Sequence, residues 1–231
     1  MEKPTNRDYL VSIAPARMKE KSEEELLAWL FRGEERTVKA CARVAYRDIQ
    51  RNLGGIGKMS EQEKMAWREE TEKLIACCIE DLFQQNVSKQ EKFDDWHRDT
   101  CEKIIKISAE HGVPKWIEKD FSYGLAQKWL NMTIKNALIM GQKICEIKQY
   151  LHIPVDSYIM EMASCKLRIE TVDRNCQFKL YSAGISKPWS RWDYGDYVAF
   201  QEKIREATAC PLEWEHGAWL EAKEMRAGSA K

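Results

Sequence analysis

The sequence lacks the features that mark several common classes of protein. Its 231 residues include only six prolines and eleven glycines, which are too few for a collagen-like or low-complexity chain. No apolar run approaches the roughly 18 residues that span a bilayer, and the polar segment 1–7 carries no targeting pattern. Lys and Arg total 37, as do Asp and Glu, whereas proteins that bind nucleic acid through phosphate contacts are usually basic. We therefore expect a cytoplasmic protein with no membrane segment.

Motifs for metal binding and for common catalytic machinery are also missing. None of the eight cysteines stands in a C-x-x-C pair, so we expect reduced cysteines that pack as small apolar side chains. His97 and Cys101 share a helix face, but no second close pair of ligands accompanies them, and the sequence predicts no metal and no cofactor. The segment GGIGK (residues 54–58) closes a helix and is followed by Met59. It is therefore interpreted as a turn rather than a phosphate loop.

The sequence does contain clear signals for the starts of helices. Capping boxes of the form Ser-x-x-Glu stand at Ser22, Ser60 and Ser88, and each precedes apolar residues at helical spacing. Further helices are predicted near 33–53, 156–171, 193–207 and from residue 211, and the N-terminal arm is expected to fray. The pattern therefore predicts an all-α protein, or one that is nearly so.

The longest predicted helix covers residues 122–150 and has apolar side chains around most of its circumference. A helix of this kind belongs in the middle of a fold. We therefore expect a single-domain multi-helix bundle over residues 1–231 around this helix, with a small irregular or β element near 176–192. Two lobes, 15–113 and 114–228, are the alternative organisation.

Polar side chains recur every four residues along this helix, at Tyr123, Gln127, Asn131 and Lys135, with Lys128 beside them. Residues 121–205 carry 12 basic against 8 acidic side chains. One interpretation is an internal polar network or a solvated face, since a buried amide without partners costs about 1–3 kcal/mol. The other is the wall of a pocket that contacts an anionic ligand.

A second segment, SKPWSRWDYGDYVAF (residues 186–200), is unusually rich in aromatic residues. Trp189, Arg191 and Trp192 are suited to base stacking, cation–π contacts or a protein-binding hot spot. The alternative is that the rings close a small C-terminal core, where Trp N–H and Tyr O–H groups find partners. The sequence leaves both interpretations open.

Three stretches resemble a pattern found in bacterial and mobile-element proteins that have no assigned activity. They are YGLAQKWLNMTIK (123–135), HIPVDSYI (152–159) and WSRWDYGDYVAFQEKIR (189–205), and together with their connections they cover about 80 residues of the C-terminal half. The resemblance implies a bacterial or phage-related origin. It brings no fold, no cofactor and no catalytic residue.

Three functions remain as hypotheses. The first is a non-enzymatic binding protein with a protein partner, in defence or counter-defence of bacteria and their mobile elements. The second is a nucleic-acid-binding protein in which Lys128, Lys135 and Arg191 contact phosphate. The third is an enzyme that acts on a nucleotide or similar anion, with His152 and Asp156 as acid–base candidates. Whether the protein is an enzyme, and its oligomeric state, stay open.

Overall fold

The computed structural model describes residues 5–53, 56–85, 87–113, 121–141, 145–167, 169, 171–172, 177–179 and 186–228. The predicted turn at Gly54-Gly55 and part of the predicted 176–192 element lie outside these residues. The described chain confirms the predicted fold class, because almost all of its regular structure is helical. Its α-helices are α1 (Asn6–Ile13), α2 (Glu23–Phe31), α3 (Val38–Ile49), α4 (Glu61–Gln84), α5 (Gln90–Glu110), α6 (Tyr123–Ile139), α7 (Ser157–Leu167), α8 (Tyr194–Ala207) and α9 (Pro211–Gly228).

Short elements join these helices. Short 3-10 helices cover Ala16–Met18, Gln50–Asn52, Ile56–Lys58, Cys145–Tyr150 and Trp189–Arg191. Three short strands, β1 (Thr171–Val172), β2 (Gln177–Lys179) and β3 (Ser186–Pro188), pair antiparallel in the order β1-β2-β3. Phe178 lies opposite both Thr171 and Lys187 in this register. The small β element therefore begins a few residues earlier than predicted.

Two of the three predicted capping boxes are present. The hydroxyls of Ser22 and Ser60 accept from the backbone N–H three residues on, and the glutamate at that position accepts in return. The prediction at Ser88 is wrong, because α5 begins at Gln90 with Lys89 as its N-cap. The Ser88 carbonyl instead accepts from the Tyr150 hydroxyl at 3.0 Å, so it serves a tertiary contact.

Helix α6 lies at the centre of the bundle, as predicted, and contacts α3, α4, α5 and α8. It ends at Ile139 rather than at Tyr150, since Gly141 adopts a left-handed φ of 91°, which L side chains adopt rarely. Helix α4, with 24 residues, is therefore longer than α6, with 17. Among the described residues, no helix is both long and apolar enough to cross a bilayer.

The turn that carries Trp189 is seated directly on the first turn of α6. The Ser122 hydroxyl caps α6 and also donates to the Ser190 carbonyl at 2.7 Å, while Gly124 N–H donates to the Trp192 carbonyl at 3.0 Å. A β-carbon on Gly124 would lie 1.9 Å from the Trp189 carbonyl oxygen. The absence of a side chain at Gly124 therefore sets the position of the aromatic turn.

Candidate functional site

A buried chain of hydrogen bonds runs from α6 to α5 and α8. The Tyr123 hydroxyl lies 3.1 Å from Nδ1 of His97, and Nε2 of His97 lies 2.9 Å from Oδ1 of Asn131. The Asn131 amide donates to the Tyr197 hydroxyl at 2.8 Å, which lies 2.9 Å from Nδ1 of His152. All five side chains are buried, so the chain is an internal polar network, one of the two alternatives for the stripe on α6.

The network reaches the surface at Asp94. Nε2 of His152 lies 2.7 Å from the Asp94 carboxylate, which also accepts from Gln90 at 2.8 Å. Burial lowers the pKa of His97 well below its usual value and lowers that of His152 as well, with Asp94 opposing the shift. Both imidazoles are therefore neutral at neutral pH, and each can donate through Nε2 and accept at Nδ1.

Gln127, the other side-chain amide of the polar stripe on α6, binds the extended segment 153–155. Gln127 donates to the Val155 carbonyl at 3.2 Å and accepts from the Val155 N–H at 3.3 Å. Gln201 of α8 makes the same pair of bonds with the backbone of Ile153. These bonds satisfy backbone groups that have no helix or sheet to pair with, and they fix residues 153–155 between α6 and α8.

A large cavity opens on the other side of α6. Its volume is about 900 Å³, which lies within the range of small-molecule sites. Seven basic and three acidic side chains line it. The basic residues are Arg32, Arg47, Arg51, Lys128, Lys135, Lys223 and Arg226, and the acidic ones are Asp48, Asp156 and Glu215. The lining therefore carries a formal excess of four positive charges within a chain whose net charge is zero.

Two ion pairs form the floor of the cavity. The Lys128 ammonium lies 2.7 Å from Asp156, and that of Lys135 lies 2.6 Å from Glu215. Burial opposes ionisation of Asp156, but the charge and hydrogen bond of Lys128 lower its pKa overall. Burial raises the pKa of Glu215 despite Lys135. The lysines of α6 are thus largely neutralised by their partners, and the excess charge lies elsewhere.

Part of that excess lies at the ends of α2 and α3. The Arg47 guanidinium donates to the Leu30 carbonyl at 3.1 Å, and burial together with the charge of Arg32 lowers its pKa. Arg32 and Arg51 are exposed and have no hydrogen-bond or ion-pair partner within the described residues. Arg32 and Arg47 repel each other, and a bound anion would relieve this repulsion.

One carboxylate of the cavity is also without a direct partner. Asp48 lies among Lys128, Lys135 and Arg51, but no donor in the described part of the chain reaches hydrogen-bonding distance of it. Burial raises its pKa, and the neighbouring Asp156 adds to the shift. Its carboxyl group is therefore free to accept a hydrogen bond from a bound molecule.

Aromatic side chains also line the cavity, and cations lie over their rings. The ring of Trp219 lies 5.8 Å from that of Tyr9 and 6.1 Å from that of Tyr158. Arg226 stacks over Tyr158 at 4.0 Å and Lys223 over Trp219 at 5.2 Å. The lining of the cavity thus combines unpaired arginines, aromatic rings with cations over them, and two buried ion pairs.

The structure divides the residues that the sequence singles out between these two regions. Lys128, Lys135, Asp156 and Trp189 line the cavity. Tyr123, Gln127, Asn131 and His152 belong to the buried network. Because His152 and Asp156 lie in different regions, they do not form one acid–base pair.

The other two predicted residues lie outside both regions. Trp192 is buried, donates to the Lys187 carbonyl at 3.0 Å and packs against Phe200. Arg191 is exposed and does not line the cavity. The structure therefore does not gather Arg191, Trp192 and the α6 lysines on one surface.

Several residues that line the cavity are not among the predicted site residues. Arg47, Asp48 and Arg51 alternate with the apolar stripe that ends α3, a pattern that any amphipathic helix has. Only the i, i+4 repeat of Arg47 and Arg51 hints at a charged face. Trp219 lies in a region where the sequence shows no motif.

Comparisons with known protein families, curated proteins and solved structures gave no match. In the part of the chain that the structure describes, no group of three or more His, Cys, Asp and Glu side chains is placed to hold a metal ion.

Proposed function

We propose that this protein binds a small anionic ligand in the cavity between α2, α3, α6, α7 and α9. The observation that carries the proposal is that Arg32 and Arg51, which line the cavity together with Arg47, have no hydrogen-bond or ion-pair partner within the described residues. Repulsion between like charges raises the free energy of the ligand-free protein. A bound anion relieves this repulsion, which adds to the affinity. Arginine also presents paired donors that match phosphate and carboxylate oxygens.

The rest of the cavity supports binding rather than simple packing. The Lys128–Asp156 and Lys135–Glu215 pairs fix the floor, so that the site is largely formed before a ligand arrives. A preformed site loses less conformational entropy on binding. The protein acts here as a binding protein, and a bacterial or phage-related setting, with a role in defence or counter-defence, remains part of the proposal through the resemblance of residues 123–205.

Calorimetric titration with inorganic pyrophosphate tests the proposal. We expect saturable binding of one anion per chain at 50 mM salt, weakening as salt rises to 300 mM because screening reduces the attraction. The variant Arg32→Gln with Arg51→Gln should bind at least tenfold more weakly. Arg36→Gln is the matched control, because Arg36 is paired with Glu24 and does not line the cavity.

Two results would contradict the proposal. One is the absence of saturable pyrophosphate binding at 50 mM salt in folded protein. The other is equal affinity of the double variant and the Arg36 control, which would place the bound anion outside the cavity.

A further inference from the structure

Three acidic side chains line the cavity, and only one of them, Asp48, has no hydrogen-bond donor among the described residues. Asp156 lies 2.7 Å from the Lys128 ammonium. Glu215 lies 2.6 Å from the Lys135 ammonium. A half-buried carboxylate with neither a partner nor full hydration raises the free energy of the protein. Asp48 is therefore an acceptor that a bound molecule would satisfy.

Basic side chains near Asp48 limit the kinds of donor that it can accept from. Arg47 precedes it in the chain and Arg51 follows three residues later, and both line the same cavity. Burial raises the pKa of the carboxyl, and the charges of Lys128, Arg51 and Lys135 oppose this rise. These positive charges would repel a cationic ligand, so the donor has to come from a neutral or an anionic molecule.

The arginines of the cavity bring an anion close to Asp48. Burial and the charge of Arg32 lower the pKa of Arg47, whereas the charge of Asp48 raises it, so this guanidinium lies within electrostatic reach of both. Arg32 and Arg51 have no hydrogen-bond or ion-pair partner within the described residues. An anion that contacts these arginines therefore lies near a carboxylate, and two close negative charges repel each other. A hydrogen bond replaces this repulsion only if the anion carries a proton of its own.

Phosphate and sulfate differ in this property. At pH 8 both are tetrahedral dianions of similar size. Hydrogen phosphate retains one O–H donor, whereas sulfate retains none. A carboxylate acceptor within an anion site therefore forms a hydrogen bond with hydrogen phosphate and repels sulfate.

We infer that Asp48 makes the cavity selective for an anion that retains a proton, hydrogen phosphate, over sulfate. Its carboxylate accepts from the P–O–H group, while the arginines donate to the remaining phosphate oxygens. The inference rests on the proposed function and specifies the class of anion for that same cavity. The arginines alone cannot make this distinction, because a guanidinium donates alike to phosphate and sulfate oxygens.

Calorimetric titrations of the full chain at pH 8 and constant ionic strength test the inference. We expect hydrogen phosphate to bind at least about a hundredfold more tightly than sulfate, because a site with an acceptor for an O–H group rejects analogues that lack it. Arsenate also retains a proton at this pH and should bind like phosphate. Methyl phosphate has lost its last proton at this pH and should bind like sulfate, which separates free phosphate from phosphomonoesters as the ligand.

The variant Asp48→Asn removes the carboxylate and keeps its shape. Deleting a negative charge strengthens the attraction for both dianions alike, so the ratio of the two affinities is the informative quantity. We expect the ratio to fall below about tenfold, because the new amide donates to an oxygen of either anion. Asp81→Asn is the matched control, since Asp81 is exposed on α4, does not line the cavity and loses the same charge. Asp48→Ala is a second variant, which keeps the test valid if Asp48→Asn lowers the melting temperature.

The outcomes distinguish this inference from the proposal beneath it. A preference for phosphate that is lost in both Asp48 variants and kept in Asp81→Asn supports the inference. If phosphate and sulfate bind with equal affinity, or if the Asp48 variants keep the preference, Asp48 does not select the anion and the inference is overturned. If pyrophosphate binds and neither phosphate nor sulfate does, the inference is wrong although the anion site stands. If none of the three anions binds, both are wrong.

Discussion

Removing one partner of the buried pair between α6 and α9 should destabilise the protein strongly. The Lys135 ammonium lies 2.6 and 2.9 Å from the two carboxylate oxygens of Glu215, and the side chains are 5% and 1% exposed. Lys135→Met keeps the apolar stem and deletes the charge, which leaves Glu215 buried without its counter-ion. Breaking such a pair costs about 3–5 kcal/mol of unfolding free energy.

The stability that Lys135→Met loses relative to the parent protein should depend on pH. Burial already raises the pKa of Glu215 against the effect of Lys135, so deleting the ammonium raises it further. A carboxyl whose pKa is higher in the folded than in the unfolded state takes up protons on folding as pH falls. Protonation therefore stabilises the variant, and its deficit relative to the parent protein should shrink between pH 8 and pH 5.

Urea unfolding of ligand-free protein at both pH values measures these quantities. Lys39→Met is the control, because Lys39 pairs with Glu69 at 3.2 Å with side chains 35% and 72% exposed, and such pairs contribute about 0–1 kcal/mol. Replacing both Lys135 and Glu215, by Met and Leu, should recover most of the loss. A loss below 1 kcal/mol for Lys135→Met, or no recovery in the double variant, would refute the reasoning.

Two further predictions concern the buried network and the aromatic turn. His97 and His152 have lowered pKa values in the folded state and so bind fewer protons than when unfolded. Unfolding free energy should therefore fall from pH 7.5 to 5.5, by up to about 1.4 kcal/mol for an imidazole that stays neutral in the folded state over this interval; urea midpoints that do not change would contradict this. Gly124→Ala should destabilise by about 1–3 kcal/mol or more because its new methyl meets the Trp189 carbonyl. Gly57→Ala, which meets nothing within 4 Å, should leave the melting temperature nearly unchanged.

Local signals in the sequence were enough to predict the fold class and most helix positions. Ser22 and Ser60 cap helices because a side-chain oxygen and a glutamate three residues on satisfy free N–H groups, whatever the rest of the chain does. Ser88 shows the limit of this reasoning, since its carbonyl accepts from Tyr150 of a distant turn. Tertiary contacts decide between equivalent local patterns.

The first helix begins with a capping box that has aspartate in place of glutamate. The N-terminal arm was predicted to fray, and this is wrong for Asn6–Ile13, which forms α1 with a capping box between Thr5 and Asp8. Aspartate in place of glutamate completes the box in the same way. Tyr9 and Leu10 are then buried, and Tyr9 contributes to the wall of the cavity.

The cavity itself could not be predicted, because its charges come from distant parts of the chain. Arg32 follows α2, Arg51 follows α3, and Glu215 belongs to α9. No spacing in the sequence connects them, and only the packing of these helices around α6 brings them together. Of the predicted residues that line the cavity, Lys128 and Lys135 belong to α6, which supplies part of its wall, whereas Asp156 and Trp189 come from other segments.

The geometry of α6 explains why its polar stripe divides between two environments. Successive residues turn by about 100°, so a spacing of four advances the stripe by about 40° per step. From Tyr123 to Lys135 this drift reaches about 120°, which takes the stripe from the buried network to the cavity. Lys128 lies seven residues before Lys135 and is therefore within about 20° of it on the helix. The two lysines share the cavity face for this reason.

The same rotation predicts where α6 tolerates a new charge. Met132 lies on the cavity side and Ile134 on the core side, and both are nearly fully buried. Met132→Lys can extend its ammonium into the cavity along its alkyl stem, so it should fold and bind pyrophosphate more tightly. Ile134→Lys buries a charge without a partner and should cost several kcal/mol. Urea midpoints and pyrophosphate titrations compare the two, and equal losses of stability would show that the faces of α6 do not differ as the rotation requires.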